Sequence, residues 1–128
     1  MPRRNISSGS PYEVPFGFCR AVRIGNTIHV AGTGPIAPDG STAAPDDAYG
    51  QAVRCFEIIR TAVEEAGGSL ADVVRTRMYL TNLGDQEQIG RAHGEFFRSI
   101  KPAATMIGVS GLVRDDWLVE IEADAVIE

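Results

Sequence analysis

The stretch Lys101-Pro-Ala-Ala-Thr-Met-Ile-Gly-Val-Ser-Gly-Leu-Val-Arg-Asp-Asp-Trp-Leu-Val-Glu-Ile-Glu-Ala-Asp-Ala-Val-Ile127 reads as two strands. In the second, Val119, Ile121, Ala123, Ala125 and Ile127 alternate with Glu120, Glu122 and Asp124. Successive strand side chains point to opposite faces, so the carboxylates share one face and the apolar groups the other. The apolar face belongs against the chain's own core. An acidic row on a small sheet is ordinarily a solvated face, and the rest of the chain decides whether one of these carboxylates does chemistry.

Working outward from that stretch, Asp85-Gln-Glu-Gln88 has the spacing of a helix start. In it Asp85 accepts from the backbone and Gln88 reaches back. The helix that follows carries Ile89, Ala92, His93, Phe96 and Ile100 on one face. His93, set among phenylalanines, reads as a packed and hydrogen-bonded ring. Upstream, Asp72 to Thr81 alternates Val74, Thr76, Met78 and Leu80 against Val73, Arg75, Arg77 and Tyr79, which predicts a strand with one apolar and one mixed face. Before it, Ala52, Cys55, Phe56, Ile59, Ala62, Val63 and Ala66 recur at helical steps, with Asp46 or Asp47 placed as cap and Gly67-Gly68 as stop. Cys55 falls in that apolar stripe, where an inert thiol is expected.

The segment Gly32 to Gly40 is rich in glycine and proline and reads as a loop leaving the sheet. It lacks the Lys-Ser/Thr pair of a phosphate loop. Phe18 to Ile24 and Thr27 to Thr33 are extended runs joined by Gly25-Asn26, a hairpin signal. Alternation along the first arm puts Arg20 on the face of Phe18. Its expected partner is a carboxylate of a neighbouring strand, Glu122 or Asp124; the alternative is that it reaches an anionic ligand. His29 has no acidic or nucleophilic neighbour in sequence that would define a triad. Residues 3–7 suit a short strand, and residues 8–15 a loop. The order strand, strand, strand, helix, strand, helix, strand, strand predicts a two-layer α+β fold with two helices on one face of a mixed sheet. The other sheet face, apolar and charged by turns, then needs a partner such as another subunit.

With 128 residues the chain fits a single domain, 1–128, that builds its core without metals or disulfides. A net charge of −5 disfavours nucleic acid as a partner, because binding there needs cations to neutralise phosphates. Cys19 and Cys55 make no disulfide scaffold, no His or Cys pair has zinc spacing, and no apolar run has the length of a signal peptide core or a membrane span. A cytoplasmic protein without a zinc site is the expectation.

The hairpin Arg20-Ala-Val-Arg-Ile-Gly-Asn-Thr-Ile-His-Val-Ala-Gly-Thr33, the helix end Val63-Glu-Glu-Ala-Gly67, the strand Asp72-Val-Val-Arg-Thr-Arg-Met-Tyr-Leu80, Pro102-Ala103 and Leu118-Val-Glu-Ile-Glu-Ala123 together resemble the RidA/YjgF superfamily across nearly the whole chain. That resemblance implies a chorismate-mutase-like fold, a homotrimer around a sheet-lined barrel, and ligand sites in clefts between subunits. Members hydrolyse enamines and imines such as 2-aminoacrylate to 2-keto acids and ammonia, without metal or cofactor. It also implies a site built from Phe18, Ala31, Gly32, Ala104, Thr105 and Met106, with Glu120 as the carboxylate that positions or activates water; Arg20 joins this site by its place on the face of Phe18.

Three positions depart from the deaminating pattern. The arginine that binds the substrate carboxylate falls on Ala104, a site tyrosine on Phe18, and a site serine on Ala31. Losing a charge-assisted carboxylate pair costs about 3–5 kcal/mol, or about two to three orders of magnitude in affinity. The pattern is similar to that of arginine-lacking subgroups, often labelled as translation inhibitor or endoribonuclease relatives. A nuclease reading fits poorly with an acidic chain lacking a paired general acid and base near a basic groove. The expectation is therefore an enzyme acting on an imine, enamine or related electrophile, distinct from a standard 2-aminoacrylate deaminase. The alternative is a trimer that binds a small metabolite or a protein without turnover.

Overall fold

The computed structural model describes residues 2–128. Six strands, β1 (Arg4–Ile6), β2 (Ala21–Ile24), β3 (Thr27–Thr33), β4 (Val73–Leu80), β5 (Ala103–Gly108) and β6 (Val119–Val126), form one sheet in the order β1-β2-β3-β6-β4-β5. β4 and β5 run parallel and every other neighbouring pair antiparallel, so the sheet is mixed. Helices α2 (Ala48–Glu65) and α3 (Gln86–Phe97) cover one face, and a single turn, α1 (Glu13–Phe16), precedes β2. This is the α+β arrangement expected, with α1 added.

The apolar side of β6 is buried as its alternation requires: Val119, Ile121, Ala123 and Ala125 pack with Ile28 and Val30 of β3 and Met78 and Leu80 of β4 beneath Phe56, Ile59 and Val63 of α2. The Asp47 carboxylate accepts from Gly50 N at 3.0 Å and caps α2. At the other end Gly67 takes φ +94°, and the Gly67 and Gly68 N–H groups donate to Glu64 O and Val63 O, the paired closure that a left-handed glycine permits. His93 packs edge-on against Phe56 and meets the Thr76 hydroxyl through Nε2 at 2.8 Å. Burial lowers its pKa, so it is a structural ring. Cys55 is fully buried, and burial pushes its thiol pKa up, as its place in the stripe implies.

Four local expectations differ from the structure. β2 starts only at Ala21, because the Phe18 N–H donates to Glu13 O and Phe18 therefore belongs to the end of α1. In β4 the register slips between Val73 and Arg75, so Val73 is buried with Thr76 while Val74 turns outward. That extra residue exchanges the two valines between faces. Asp85 makes no side-chain cap to α3; Asn82 accepts from Gly84 N at 2.9 Å and opens a tight turn, Leu83–Asp85, that leads into the helix. Arg20 pairs with neither Glu122 nor Asp124: its Nη1 donates to Gly32 O at 3.0 Å and to Thr33 Oγ1 at 2.9 Å. Those two carboxylates are taken by β4, which lies against β6 where Arg20 does not.

Candidate functional site

The three carboxylates of β6 are not equivalent. Asp124 accepts from Arg77 at 2.9 Å and meets His29 Nδ1 at 2.8 Å. Burial alone would raise its pKa, but those hydrogen bonds and the Arg77 charge hold it below the ordinary carboxylate range. Glu122 accepts from the Tyr79 hydroxyl at 2.5 Å, with Arg77 at 3.9 Å. Glu120 accepts no hydrogen bond from any described residue and is half-buried. Burial raises its pKa, the positive charge of Arg20 opposes the rise, and Glu122 adds to it.

Two local features leave Glu120 free. A bulge in β3 sets Ala31 and Gly32 between the registered pairs Val30↔Ala123 and Thr33↔Ile121. It lays Gly32 against the carboxylate: a Cβ there would sit 2.3 Å from Glu120 Oε2. Arg20 lies just before the start of β2, where its guanidinium reaches the β3 backbone. Burial pulls its pKa down, and the charges of Glu13 and Glu120 resist that.

Glu120, Arg20, Gly32 and Phe18 open onto a cleft of about 780 Å³ between the segment around α1, the outer side of α2, the loop of residues 34–40 and the segment before β6. Trp117 forms one wall and is only 7% exposed. Its ring lies where a Cβ on Gly34 would come within 2.2 Å, and Arg114 stacks 5.5 Å above it. The segment carrying Trp117 is fixed by the buried Gln51 amide, which donates to Asp116 O at 3.0 Å and accepts from Leu118 N at 2.7 Å. Sequence reasoning missed Trp117, Arg114 and Arg54 as cleft residues. The available signals were the lone tryptophan and the glycine at 34 that admits it.

Within one protomer the other expected residues lie elsewhere. Ala31 opens into a separate hollow of about 460 Å³ shared with Cys19 and His29, and Phe18 lines both spaces. Ala104, Thr105 and Met106 are on the edge strand β5, separated from β3 by β6 and β4. Ala104 is exposed; Thr105 Oγ1 accepts from Arg75 at 2.5 Å; Met106 packs partly against the core. Among the described residues no group of His, Cys, Asp and Glu could hold a metal ion, and no helix is long and apolar enough to cross a membrane.

The sequence model of the Endoribonuclease L-PSP family matches residues 12–127. A RutC family protein of Pyrococcus abyssi is 39% identical over 112 residues, 87% of each chain. A 2-iminobutanoate/2-iminopropanoate deaminase of Dermatophagoides farinae is 29% identical over 127 residues, 99% of this chain and 98% of that one. Among solved structures, a member of the YjgF/YER057c/UK114 family from Mycobacterium tuberculosis superposes with a TM-score of 0.89 at 40% identity, covering 98% of this chain and all of the other.

Proposed function

Because the chain belongs to the RidA/YjgF family, we propose that it is an enzyme acting on an imine, enamine or related electrophile, with Glu120 as its proton-handling carboxylate. The observation that carries this reading is the isolation of Glu120: it alone of the β6 acids lacks a hydrogen-bond donor, and it faces an open cleft. A structural carboxylate in this row finds a partner, as Glu122 and Asp124 do. One left half-buried, with burial raising its pKa, is suited to exchanging protons with a bound substrate.

In the proposed reaction the Glu120 carboxylate takes a proton from water as the oxygen adds to the imine carbon, and the C=N bond becomes a C–N single bond. Glu120 then returns that proton to nitrogen, giving the carbinolamine; it next takes the carbinolamine hydroxyl proton as the carbonyl forms and passes it to the nitrogen, and the C–N bond breaks to release ammonia. An enamine first gains a proton at carbon and loses one from nitrogen to become the imine. Arg20 stays fixed on the β3 backbone and supplies positive charge near the carboxylate. The similarity to an imine deaminase supports the reaction class. Ala104 argues against 2-aminoacrylate as the preferred substrate, since no cation stands at that position.

Assembly is part of the proposal. Exposed apolar groups cluster around α1, with Val14 92% exposed and Phe16 74%, and again beside β5, with Leu83 57% and Ile107 45%. Two different patches on one chain suit a head-to-tail ring, and a homotrimer would bring β5 of one copy towards the cleft of the next. Light scattering should then give about three times the 13.7 kDa chain mass; a monomer at micromolar concentration would refute the ring.

The enzyme reading is tested by generating imines with an amino-acid oxidase and following keto-acid release. Glu120→Gln should lower the catalysed rate by about 10²–10⁴-fold. A rate unchanged by that substitution would refute it. The alternative, binding without turnover, is favoured by Ala104 and would show as ligand binding with no acceleration by the wild type.

A further inference from the structure

Resting on the proposed role of Glu120, we infer that the cleft takes an organic anion with a bulky apolar body, its negative group held by Arg114 and Arg54. Three arginines, Arg20, Arg54 and Arg114, line the cleft against two carboxylates, Glu65 and Glu120. The chain as a whole has the opposite balance, −5. Neither Arg20 nor Arg114 forms an ion pair among the described residues, and Arg54 has only the helical neighbour Glu57 at 3.5 Å. Two half-buried cations without a carboxylate partner, and a third with only a long contact to Glu57, leave positive potential in a partly desolvated space, which favours a negative ligand.

The two outer arginines are also held in place. Arg114 Nη1 donates to Gly40 O at 2.9 Å, and Arg54 Nε donates to Ile36 O at 2.7 Å. Both are thereby tied to the same loop, which closes on itself through the Ile36↔Thr42 bridge. Stacking on Trp117 further orients Arg114. Arg114 binds its carbonyl through one nitrogen and keeps donors for a carboxylate fork, whereas Arg54, whose Nη1 also meets Glu57 at 3.5 Å, has Nη2 left to offer. Arg20 Nη1 is already engaged twice on the β3 backbone, which makes Arg20 the weaker anchor.

The apolar body follows from size and walls. Pockets of about 300–1,000 Å³ suit ligands of drug size, and the cleft of about 780 Å³ is far larger than an aminoacrylate requires. Phe18, Trp117, Ile36 and Ile58 line the same cleft as the arginines and Glu120 and supply its apolar walls. The preferred substrate would thus carry an anionic group away from the reacting carbon, which 2-aminoacrylate lacks.

Trp117 is the chain's only tryptophan, so its emission reports the cleft directly. The test titrates wild-type protein with 3-phenylpropanoate, 3-phenylpropanamide and propanoate, with calorimetry as a second readout. The expected result is saturable binding of 3-phenylpropanoate and at least tenfold weaker binding of the other two. Arg114→Gln should lose about tenfold in affinity for the acid and none for the amide, while Arg114→Lys retains part of the preference. Equal affinity for acid and amide, equal affinity for the two acids, or no saturable binding would overturn the inference, and none of these outcomes depends on a variant folding. The two readings fail separately. If Glu120→Gln abolishes imine turnover but the probes show no charge preference, the anion site is refuted and the proton role stands. If the probes behave as expected but Glu120→Gln turns over imines like the wild type, the proton role is refuted and the anion site stands.

Discussion

Gly32→Ala separates the position of the Glu120 carboxylate from the integrity of the fold. An alanine Cβ at this position would lie 2.3 Å from Glu120 Oε2, and a tolerable contact needs 3.0–3.4 Å. The oxygen must therefore move by about 0.7–1.1 Å, since the other atoms within reach of that Cβ belong to the same glutamate. Gly32 is not in the left-handed region, so alanine fits the backbone. The neighbour that must yield is the end of a flexible side chain open to a cleft. Stability should accordingly change by less than about 1 kcal/mol, with the loss of glycine's unfolded-state freedom acting in favour of the variant. Displacing a catalytic group by about 1 Å costs about 10²-fold in rate. Keto-acid release from oxidase-generated imines should therefore fall by about 10²-fold while the thermal midpoint stays near that of the wild type. A crystal structure showing the carboxylate displaced, together with turnover within twofold of wild type, would refute the claim that this carboxylate's position matters.

Wild-type protein should accelerate 2-aminoacrylate hydrolysis little, and Ala104→Arg should raise that rate if β5 of a second copy reaches the cleft; strong wild-type turnover would show that another cation binds the adjacent carboxylate. Asp124→Asn should destabilise the fold by about 1–2 kcal/mol at neutral pH, discounted for the partial exposure of His29 and Arg77. The folded pKa of Asp124 lies below its unfolded value, so its contribution is present above the unfolded pKa of about 3.9 and is lost as pH falls through the folded one. Denaturant midpoints of wild type and Asp124→Asn should thus converge on acidification, and a gap that does not narrow as pH falls would assign the effect to packing.

What the sequence made legible follows the range of the physics involved. The alternation of β6 is a local period-two pattern, and it placed Glu120, Glu122 and Asp124 on one face correctly. The caps of α2 are equally local, and Asp47 and Gly67 act as expected. The slips in β4 and β3 depend on which residue of the partner strand faces which, so nothing within Val73-Val74 or Ala31-Gly32 announced them. The side of Phe18 was right for Arg20, since both line the cleft, but its partner was not. Two carboxylates in a row looked available to it because the strand order that gives them to β4 is a property of the whole sheet. Trp117 and Arg54 line one cleft from positions far apart in the chain, and the buried Gln51 amide fixes the segment that carries Trp117.

The same strand order explains why Glu120, of the three acids, is the one without a donor. In register Arg77 faces Glu122 and Tyr79 faces Glu120. Yet Arg77 makes its close contact with Asp124, and the Tyr79 hydroxyl bonds Glu122. Each β4 donor reaches one step along β6 rather than straight across, a diagonal that long side chains on a twisted sheet can span. That offset serves Asp124 and Glu122 and exhausts the donors before Glu120. On its opposite flank β6 meets β3. There the bulge presents Gly32, which has no side chain to offer. The free carboxylate thus arises from a diagonal pairing on one side and a bulged glycine on the other. Had β4 carried short donors limited to direct cross-strand contact, the residue facing Glu120 would have paired with it.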